Sequence, residues 1–447
     1  MITSGLTAVL ANRCLTIGST TLPDDIATIA THSLLDWFSV GRSAWAEDAV
    51  QIPLSEVIAE GGFTQATLLN GGRATVSQAA LINGIASHVL DFDDVHLRSR
   101  VHPSTPLWSA ILAEAEYLNL SGEKALQAFV AGVEMQCRIA FAIGEDHYGL
   151  GWHNTATFGC FGAATAVSVL HQLNDEQLCR AMAICATQAA GMRASFGTMC
   201  KPLHTGKAAS IGLYSAKLAA KGFTAPDGIL EKTTGFLELY ANDIFAEDAT
   251  ADLNRICAQD IIYKYNSSCY GTQAPIEACK TLILNHNIDL NAISAVTILI
   301  EPQYVSVCCI PNPINAAEAK FSIAFMSALA LAQRSTVAKS SFNSASLRDP
   351  ILIALCDKIK IIGHASMPRA NAEVIIQLKT GETYCQNFNA ELPELNLLIQ
   401  ENKLIAKAQA LLSENMSSQN VSSLIQSILG IQQEKEITKI MHIIPSC

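Results

Sequence analysis

The chain is poor in charge and in aromatic residues. Charged residues make up 15% of its 447 positions and aromatic residues 6%, whereas 50% are hydrophobic. Such a composition buries most of its surface and is not that of a disordered protein. The net charge of −11 lacks the basic excess that nucleic-acid phosphates require, so we expect no nucleic-acid partner.

Long apolar runs are also missing. The mean hydropathy of +0.26 is high, yet no uninterrupted apolar run approaches the roughly 20 residues of a membrane span. The first 23 residues contain one arginine and no apolar core, so we expect no secretory leader. None of the 14 cysteines forms a Cys-x-x-Cys pair, and the adjacent Cys308 and Cys309 are interpreted as a packing feature. Together these features predict a cytoplasmic protein with reduced thiols and no membrane partner.

Several catalytic signatures are absent from the sequence. There is no Gly-x-Ser-x-Gly elbow, no dinucleotide fingerprint and no phosphate-binding loop. A His-Glu-x-x-His motif and calcium-loop spacing are missing as well. We therefore expect neither hydrolase nor redox chemistry of these types, no metal and no organic cofactor.

The length predicts two domains, because a single core rarely serves so long a chain. The first half shows helical periodicity from Pro23 to Asn242, with small residues that allow close helix packing. Its helices are predicted to begin at Pro23 and to cover 105–118, 122–142, 157–173, 175–190 and 208–221, the last one ending at Gly222.

After Tyr263 the pattern mixes strands with helices. Strands are predicted within 295–305, at 359–363, and at 373–378 and 383–388 as a hairpin, and helices at 273–285 and 316–332. The chain is helical again after Asn389, a pattern compatible with either rejoining the first domain or packing alone. We assign 1–262 to a large helical domain, 263–390 to a smaller α+β lid domain and 391–447 to C-terminal helices, and we favour their rejoining the helical domain.

A first polar segment, residues 88–105, follows a helix predicted to end near Asp91. Carboxylates beside imidazoles suit general acid–base work, and arginines can bind carboxylates with two hydrogen bonds. A solvated turn is the alternative interpretation. The ionisable members of the segment are Asp91, Asp93, Asp94, His96, Arg98, Arg100 and His102.

A second segment, residues 147–159, places His153 just ahead of a predicted helix start near Thr155. The positive end of a helix disfavours the imidazolium form, so His153 is a candidate base or electrophile. Tyr148 adds a phenol that can exchange a proton. The alternative is a buried histidine and tyrosine without a catalytic role.

A third segment, residues 197–212, carries Lys201, His204 and Lys207. Because Lys201 precedes Pro202, we expect an extended backbone there. A lysine beside an apolar core can serve as acid, base or anion clamp. On its own, the segment is equally compatible with a surface lysine at a helix entry.

Taken together, the three segments resemble the MmgE/PrpD family over most of the chain and in the same order. The family pattern LDFDD followed by HPS is matched by Leu90–Asp94 and His102–Ser104, G-[WF]-H-x-T by Gly151–Thr155, and GTM-x-K-x-LH-x-G-[RK]-AA by Gly197–Ala209. The family includes 2-methylcitrate dehydratase, cis-aconitate decarboxylase and iminodisuccinate epimerase. The resemblance implies a large helical domain with a smaller α+β lid, and a homodimer.

It also implies roles for individual residues. The catalytic residues of the family match Asp91, His102, His153 and Lys201, and Tyr148 matches a tyrosine of the epimerase-type members. By the same resemblance and by their chemistry, the expected substrate-binding residues are Arg98, Arg100, His204, Lys207, Lys264, Gln273 and Tyr304, the last within a predicted strand.

Two positions depart from the family pattern. Val95 stands where threonine is common after LDFDD, and Gln273 stands where the lid pattern K-x4-C-x3-H has histidine. Glutamine can bind a carboxylate but cannot exchange a proton near neutral pH. Gln273 therefore affects the choice of substrate rather than the fold.

The resemblance implies a cofactor-independent lyase that acts on a small di- or tricarboxylate, of the 2-methylcitrate dehydratase or cis-aconitate decarboxylase type. A base removes a proton next to a carboxylate, and cationic groups stabilise the resulting charge. One alternative is an epimerase of an amino- or imino-dicarboxylate, favoured by Tyr148 and Gln273. The other is an inactive descendant that only binds carboxylates.

Overall fold

The computed structural model describes residues 5–442, which divide between two compact units. One unit comprises the chain up to Tyr263 together with the part from Leu395 onward, and the other is Lys264–Glu394. The first is built of helices with two short strand pairs, and the second combines helices with a four-stranded sheet. The predicted fold class, mainly α with a smaller α+β domain, is confirmed.

The first unit begins with a series of helices of very different lengths. They are α1 (Leu6–Ser19), α2 (Asp24–Ser43), α3 (Asp48–Glu60), α4 (Val76–His88), α5 (Ser104–Tyr117), α6 (Gly122–Ile143), α7 (Asp146–Gly149), α8 (Asn154–Thr157), α9 (Gly159–Leu170), α10 (Asp175–Ala186), α11 (Cys200–Ala220), α12 (Phe236–Tyr240) and α13 (Ala246–Thr250). Two antiparallel pairs join β1 (Ala66–Thr67) to β2 (Arg73–Ala74) and β3 (Val95–His96) to β4 (Ile261–Ile262).

Local sequence signals explain several helix ends. The Thr75 hydroxyl accepts from the Gln78 amide, and the Gln78 side chain bonds back to Thr75, a capping box that starts α4. Helix α11 ends before Gly222, whose φ is +82°. The amide of the next residue, Phe223, bonds back to the Leu218 carbonyl and satisfies it.

The core of the first unit depends on close helix packing. Helix α11 packs against α4 and α9, and α6 packs against α9. A Cβ added at Gly84 would lie 2.7 Å from the Cα of Gly206, so the backbones of α4 and α11 touch only because both positions are glycine. This contact brings the carboxyl end of α4 near the amino end of α11.

Helix α6 is long and apolar enough to cross a membrane by length and composition alone. Its most apolar window is entirely buried within the protein, as in a core helix.

The second unit surrounds a mixed sheet with helices. Strand β5 is central, with β6 parallel on one side and β7 antiparallel on the other, giving the order β6-β5-β7-β8. Helices α14 and α17 pack against each other, and α14 also packs on β7 and β8. The elements are α14 (Tyr270–His286), β5 (Ile293–Ile300), α15 (Pro302–Cys308), α16 (Ala316–Ala319), α17 (Ile323–Leu331), α18 (Ser344–Leu347), α19 (Pro350–Cys356), β6 (Ile359–Gly363), β7 (Asn371–Leu378) and β8 (Thr383–Asn389).

After the second unit, the chain returns to the first with α20 (Leu397–Leu412), α21 (Ser418–Leu429) and α22 (Thr438–Met441). Helix α20 packs against α2. The buried Lys407 of α20 places its Nζ 2.6 Å from an Asp36 carboxylate oxygen and 2.7 Å from the Phe92 carbonyl oxygen. Helix α20 therefore holds the backbone of the first polar segment at Phe92.

Two sequence expectations in the second unit were wrong. The predicted strand through 295–305 ends at Ile300, and Tyr304 lies in helix α15. Pro302 is the reason, because its fixed φ suits the first turn of a helix and it cannot donate to a sheet. The predicted helix 316–332 is two helices, and the second starts anew at Ser322, whose hydroxyl accepts from the Phe325 amide.

Candidate active site

The first polar segment folds back at the end of α4. His88 is the last residue of that helix, and Asp91 follows in the left-handed conformation, with φ +50°. That conformation is costly for most side chains but is tolerated by aspartate, and such residues cluster at functional sites. The turn buries Asp93 completely and leaves Asp91 half exposed.

Asp93 contacts two histidines, the buried His88 and the partly exposed His102. One of its carboxylate oxygens lies 2.9 Å from Nδ1 of His88 and 2.9 Å from Nδ1 of His102. The His88 contact is a hydrogen bond, whereas the His102 contact has ion-pair distance without hydrogen-bond alignment. Burial alone would raise the Asp93 pKa, but the two histidines together hold it well below its ordinary value. Asp93 is therefore the fixed negative charge of the site.

Lys201 provides the positive charge. Its Nζ lies 2.8 Å from an Asp91 carboxylate oxygen, and the same oxygen is 3.7 Å from Nε2 of His102. The expectation of an extended backbone at Lys201 was wrong, because Lys201 is the second residue of α11. Pro202 is tolerated there, since amides of the first helical turn have no partner within the helix.

His153 reaches the cluster from the second segment. Its backbone amide donates to the Gly191 carbonyl at 2.9 Å, which ties the segment to the loop before α11. The neighbouring Asn154 donates to the Ser99 carbonyl, and the Thr155 hydroxyl accepts from the His102 amide. The second segment thus holds the loop of the first, although these contacts join residues 53 and 55 positions apart in sequence.

Four imidazoles lie together in this part of the first unit. The His153 ring stacks on His88 with centroids 5.8 Å apart, and the His88 and His102 centroids are 4.7 Å apart. Nδ1 of His153 is 3.2 Å from Nδ1 of His204, and Phe196 covers His153 edge-on at 5.0 Å. The structure therefore gathers Asp91, His102, His153, Lys201 and His204, five of the predicted site residues.

Burial lowers the pKa of three of these imidazoles, those of His88, His153 and His204. It lowers the His88 pKa to about 4, against the opposing pull of Asp93. Burial also lowers the His153 pKa far below its usual value, and the charges of His88 and Lys201 lower it further. The predicted direction for His153 holds, but the cause is burial and neighbouring cations rather than the four-residue helix α8.

Tyr148 lies near the amino end of the second segment. The Arg193 guanidinium carbon is 3.8 Å from the Tyr148 ring centroid, and that of Arg100 is 5.2 Å away. Arg100 also forms an ion pair with Glu145 at 2.8 Å. Two cations thus lie close to the Tyr148 ring, and Arg193 is a contact that the sequence analysis missed.

The arginines of the first segment and Lys207 lie outside the histidine cluster. Arg98 sits over the Phe141 ring at 3.9 Å and 3.8 Å from Asp248, while Arg100 turns to Glu145. Lys207 is exposed on α11. Within residues 5–442, the described contacts of Arg98 and Arg100 are therefore with these partners rather than with the clustered imidazoles.

Three predicted substrate-binding residues belong to the second unit. Gln273 is buried in α14, and its amide nitrogen donates to the Asn266 and Ser268 carbonyls at 3.0 and 3.1 Å. Its amide oxygen accepts from the Asn266 side chain at 3.1 Å. Lys264 is also largely buried, and Tyr304 lies in α15 with its pKa raised by burial. The Gln273 amide thus forms hydrogen bonds within the second unit.

His88 and Asp93 were not among the predicted catalytic residues, yet they form the buried centre of the cluster. A signal existed in the sequence, because His88 opens the motif segment and lies five positions before Asp93. Helical spacing alone does not reveal this contact, since the chain leaves the helix at His88 and turns back.

The cluster also meets the distance requirement of a cation site. His88, Asp91, Asp93 and His102 each offer one ligand atom, and these atoms lie within 4.8 Å of one another. The Lys201 ammonium already lies 2.8 Å from the Asp91 oxygen and repels a second cation there. The arrangement therefore suits an anionic ligand between Lys201 and the imidazoles.

Comparison with known proteins identifies the family of the chain. The family model of the MmgE/PrpD N-terminal domain matches residues 8–247, and that of the MmgE/PrpD C-terminal domain matches residues 267–430. The chain is 25% identical to the cis-aconitate decarboxylase-like protein oryM of Aspergillus oryzae, over 98% of this chain and 97% of that protein. It is 26% identical to the human cis-aconitate decarboxylase over 80% of this chain and 77% of that enzyme.

A cis-aconitate decarboxylase of Aspergillus terreus is 30% identical over 53% of this chain and 50% of its own length. Both domains of the family are matched, in order, and the similar proteins support a lyase at the level of the family. The chain belongs to the MmgE/PrpD family.

Proposed function

We propose that this protein is a decarboxylating lyase for a small tricarboxylate of the cis-aconitate type. The observation that carries the proposal is the Lys201 ammonium, placed 2.8 Å from Asp91 beside the imidazoles of His102 and His153. A cation next to imidazoles suits a polyanionic substrate whose negative charge moves during the reaction. The names of the similar proteins favour cis-aconitate within this class.

The first step in this proposal is loss of carbon dioxide from a carboxylate. That carboxylate is carried by a carbon adjacent to a carbon–carbon double bond. The electron pair of the broken bond forms a new double bond, and the former double bond's pair moves to a carbon beside a second carboxylate. That carboxylate takes on enediolate-like charge. Lys201 stabilises this charge. Its ammonium, which lies 2.8 Å from Asp91, also donates the proton to the new carbanion.

The histidines complete the step. Asp93 lies against Nδ1 of His102, which leaves Nε2 directed toward Asp91 and the substrate. His153 stays neutral because burial lowers its pKa, so its ring can hydrogen-bond a carboxylic acid without itself taking up a proton. In a dehydratase, the same groups would remove a proton next to a carboxylate instead.

The test is a proton NMR assay of the purified protein in deuterated water, with cis-aconitate, citrate, 2-methylcitrate and amino- or imino-dicarboxylates as separate substrates. The proposal predicts conversion of cis-aconitate to a dicarboxylate that carries one new carbon–deuterium bond. Water loss from 2-methylcitrate without reaction of cis-aconitate would identify a dehydratase instead.

Epimerase chemistry is the second candidate, and a specific observation favours it. Gln273, at the position where the lid pattern has histidine, uses its amide within its own unit and cannot exchange a proton. Exchange of a substrate hydrogen for deuterium without net conversion would identify this reaction. A thermal shift with tricarboxylates but no reaction with any substrate would identify a binding protein.

The homodimer and the cytoplasmic location remain predictions of the sequence analysis. Sedimentation equilibrium of the purified chain tests the first, and cell fractionation tests the second. A monomer at micromolar concentration would contradict the predicted dimer.

A further inference from the structure

Two cysteines of the second unit lie with their sulfur atoms in contact. The Sγ atoms of Cys269 and Cys308 are 3.0 Å apart, although the residues are 39 positions apart in sequence. Cys269 directly precedes the first residue of α14, and Cys308 is the last residue of α15. The fold of the second unit therefore brings together two cysteines whose spacing in the sequence does not predict a pair.

The two thiols are not equivalent. The Cys308 thiol donates to the Cys269 sulfur, and this hydrogen bond, together with burial, raises the Cys308 pKa. The proton therefore stays on Cys308. Cys269 stands at the amino end of a 17-residue helix, a position that favours an anionic sulfur.

Exposure separates them in the same direction. Cys308 is completely buried, whereas Cys269 is partly exposed. A small oxidant in solution thus reaches Cys269 first. The sulfur of Cys308 is already in place to attack the oxidised product, since its partner lies at 3.0 Å.

We propose that Cys269 and Cys308 form a reversible disulfide when the protein meets a peroxide. The Cys269 thiolate attacks a peroxide oxygen, the oxygen–oxygen bond breaks, and after proton transfer a water leaves and Cys269 is a sulfenic acid. The Cys308 sulfur then attacks the Cys269 sulfur, gives up its proton and expels a second water. Two thiols and one hydrogen peroxide thus become one disulfide and two waters.

The bond would join two segments that carry predicted substrate-binding residues. Gln273 lies one turn after Cys269 on α14, and Tyr304 lies one turn before Cys308 on α15. The ring of Tyr304 already packs closely on α14, because a Cβ at Gly271 would come within 2.3 Å of it. Oxidation would therefore fix α14 to α15 at that contact.

Cys309 is the competing partner. It follows Cys308 directly, is partly exposed, and its Sγ is 4.0 Å from the Tyr304 carbonyl oxygen. The sequence analysis treated Cys308 and Cys309 as a packing pair. The structure instead directs the Cys308 thiol toward Cys269.

Peptide mapping under non-reducing conditions tests the pairing. The intact protein is treated with a small excess of hydrogen peroxide, and the remaining thiols are blocked with N-ethylmaleimide. We expect a cross-linked peptide of Cys269 and Cys308 that disappears after dithiothreitol. Full alkylation of both residues, at a peroxide level that oxidises the exposed Cys200 and Cys385, would overturn the proposal, as would a cross-link through Cys309.

Serine variants test the order of the steps, after circular dichroism has confirmed their fold. In Cys308→Ser, Cys269 should accumulate as a sulfenic acid that dimedone captures. In Cys269→Ser, oxidation of Cys308 should be at least roughly tenfold slower than that of Cys269 in the first variant. Equal rates would overturn the assigned order, and Cys309→Ser, the matched control, should form the cross-link as the unmodified protein does.

Discussion

The Lys201 ammonium lies 2.8 Å from an Asp91 carboxylate oxygen, and the two residues are 110 positions apart in sequence. The contact joins the turn after α4 to the first turn of α11. The close approach of Gly84 and Gly206 brings the two helices together. The charge of the site thus depends on helix packing as well as on the residues that carry it.

Replacing Asp91 separates its charge from its backbone role. Asn keeps the short polar side chain that tolerates the left-handed φ of +50°, whereas Ala does not. We expect Asp91→Asn to keep the free energy of unfolding within about 0.5 kcal/mol and to lower kcat by roughly 10- to 100-fold. Urea unfolding and steady-state kinetics measure both, and unchanged kcat would remove Asp91 from the site.

Gln273 tests the departure from the family pattern. Its amide makes four hydrogen bonds to Asn266 and Ser268 that an imidazole cannot all reproduce. We expect Gln273→His to lose roughly 1–3 kcal/mol in the free energy of unfolding and to gain no turnover. A tenfold higher kcat in this variant would show that the missing proton donor limits the reaction.

Lys407 and Asp36 form a buried ion pair that supports the backbone next to Asp93. Lys407→Met leaves the Asp36 charge buried, which we expect to cost roughly 3–5 kcal/mol in the free energy of unfolding. The double variant Lys407→Met/Asp36→Leu should recover most of that loss in chemical denaturation. No recovery would mean that the Lys407 bond to the Phe92 carbonyl dominates.

The lowered pKa of His147 predicts that the free energy of unfolding depends on pH. Burial lowers its pKa from 6.5 to about 4, and it bonds the Tyr240 carbonyl and the Thr157 hydroxyl. Below pH 6.5, His147 of the unfolded chain binds a proton, whereas His147 of the folded protein does not. The free energy of unfolding therefore falls as the pH falls, until about pH 4.

Between pH 7 and pH 5 the contribution is about 2 kcal/mol. His147→Gln should therefore be less stable at pH 7 but lose less between pH 7 and pH 5 than the unmodified chain. Urea unfolding at both values measures the difference. Parallel losses in the two proteins would mean that His147 does not titrate in this way.

Much of the fold was readable because its signals are local. The hairpin of β7 and β8, strand β6 and the helix end at Gly222 follow from alternating apolar residues and from turn residues. Tyr304 was misplaced since β-branched neighbours outweighed Pro302, which favours a helix start. Local patterns compete in such segments, and tertiary packing decides between them.

The site was readable only in part. The resemblance supplied Asp91, His102, His153 and Lys201, whereas the residues alone left each segment with an equally plausible structural explanation. His88 and Asp93 were not predicted as catalytic residues, because their contact forms across a turn. Arg98 and Arg100 were named for their charge, and their partners Asp248 and Glu145 are distant in sequence.

The rate of cis-aconitate conversion by Lys201→Ala, compared with the unmodified protein, tests the central claim most directly. Lys221→Ala, at the other end of α11, is the matched control. We expect Lys201→Ala to lower kcat by about 10³-fold with an unchanged circular dichroism spectrum, because the cation facing the developing charge is gone. A folded Lys201→Ala protein that turns over cis-aconitate at a near-normal rate would contradict the proposed role of Lys201.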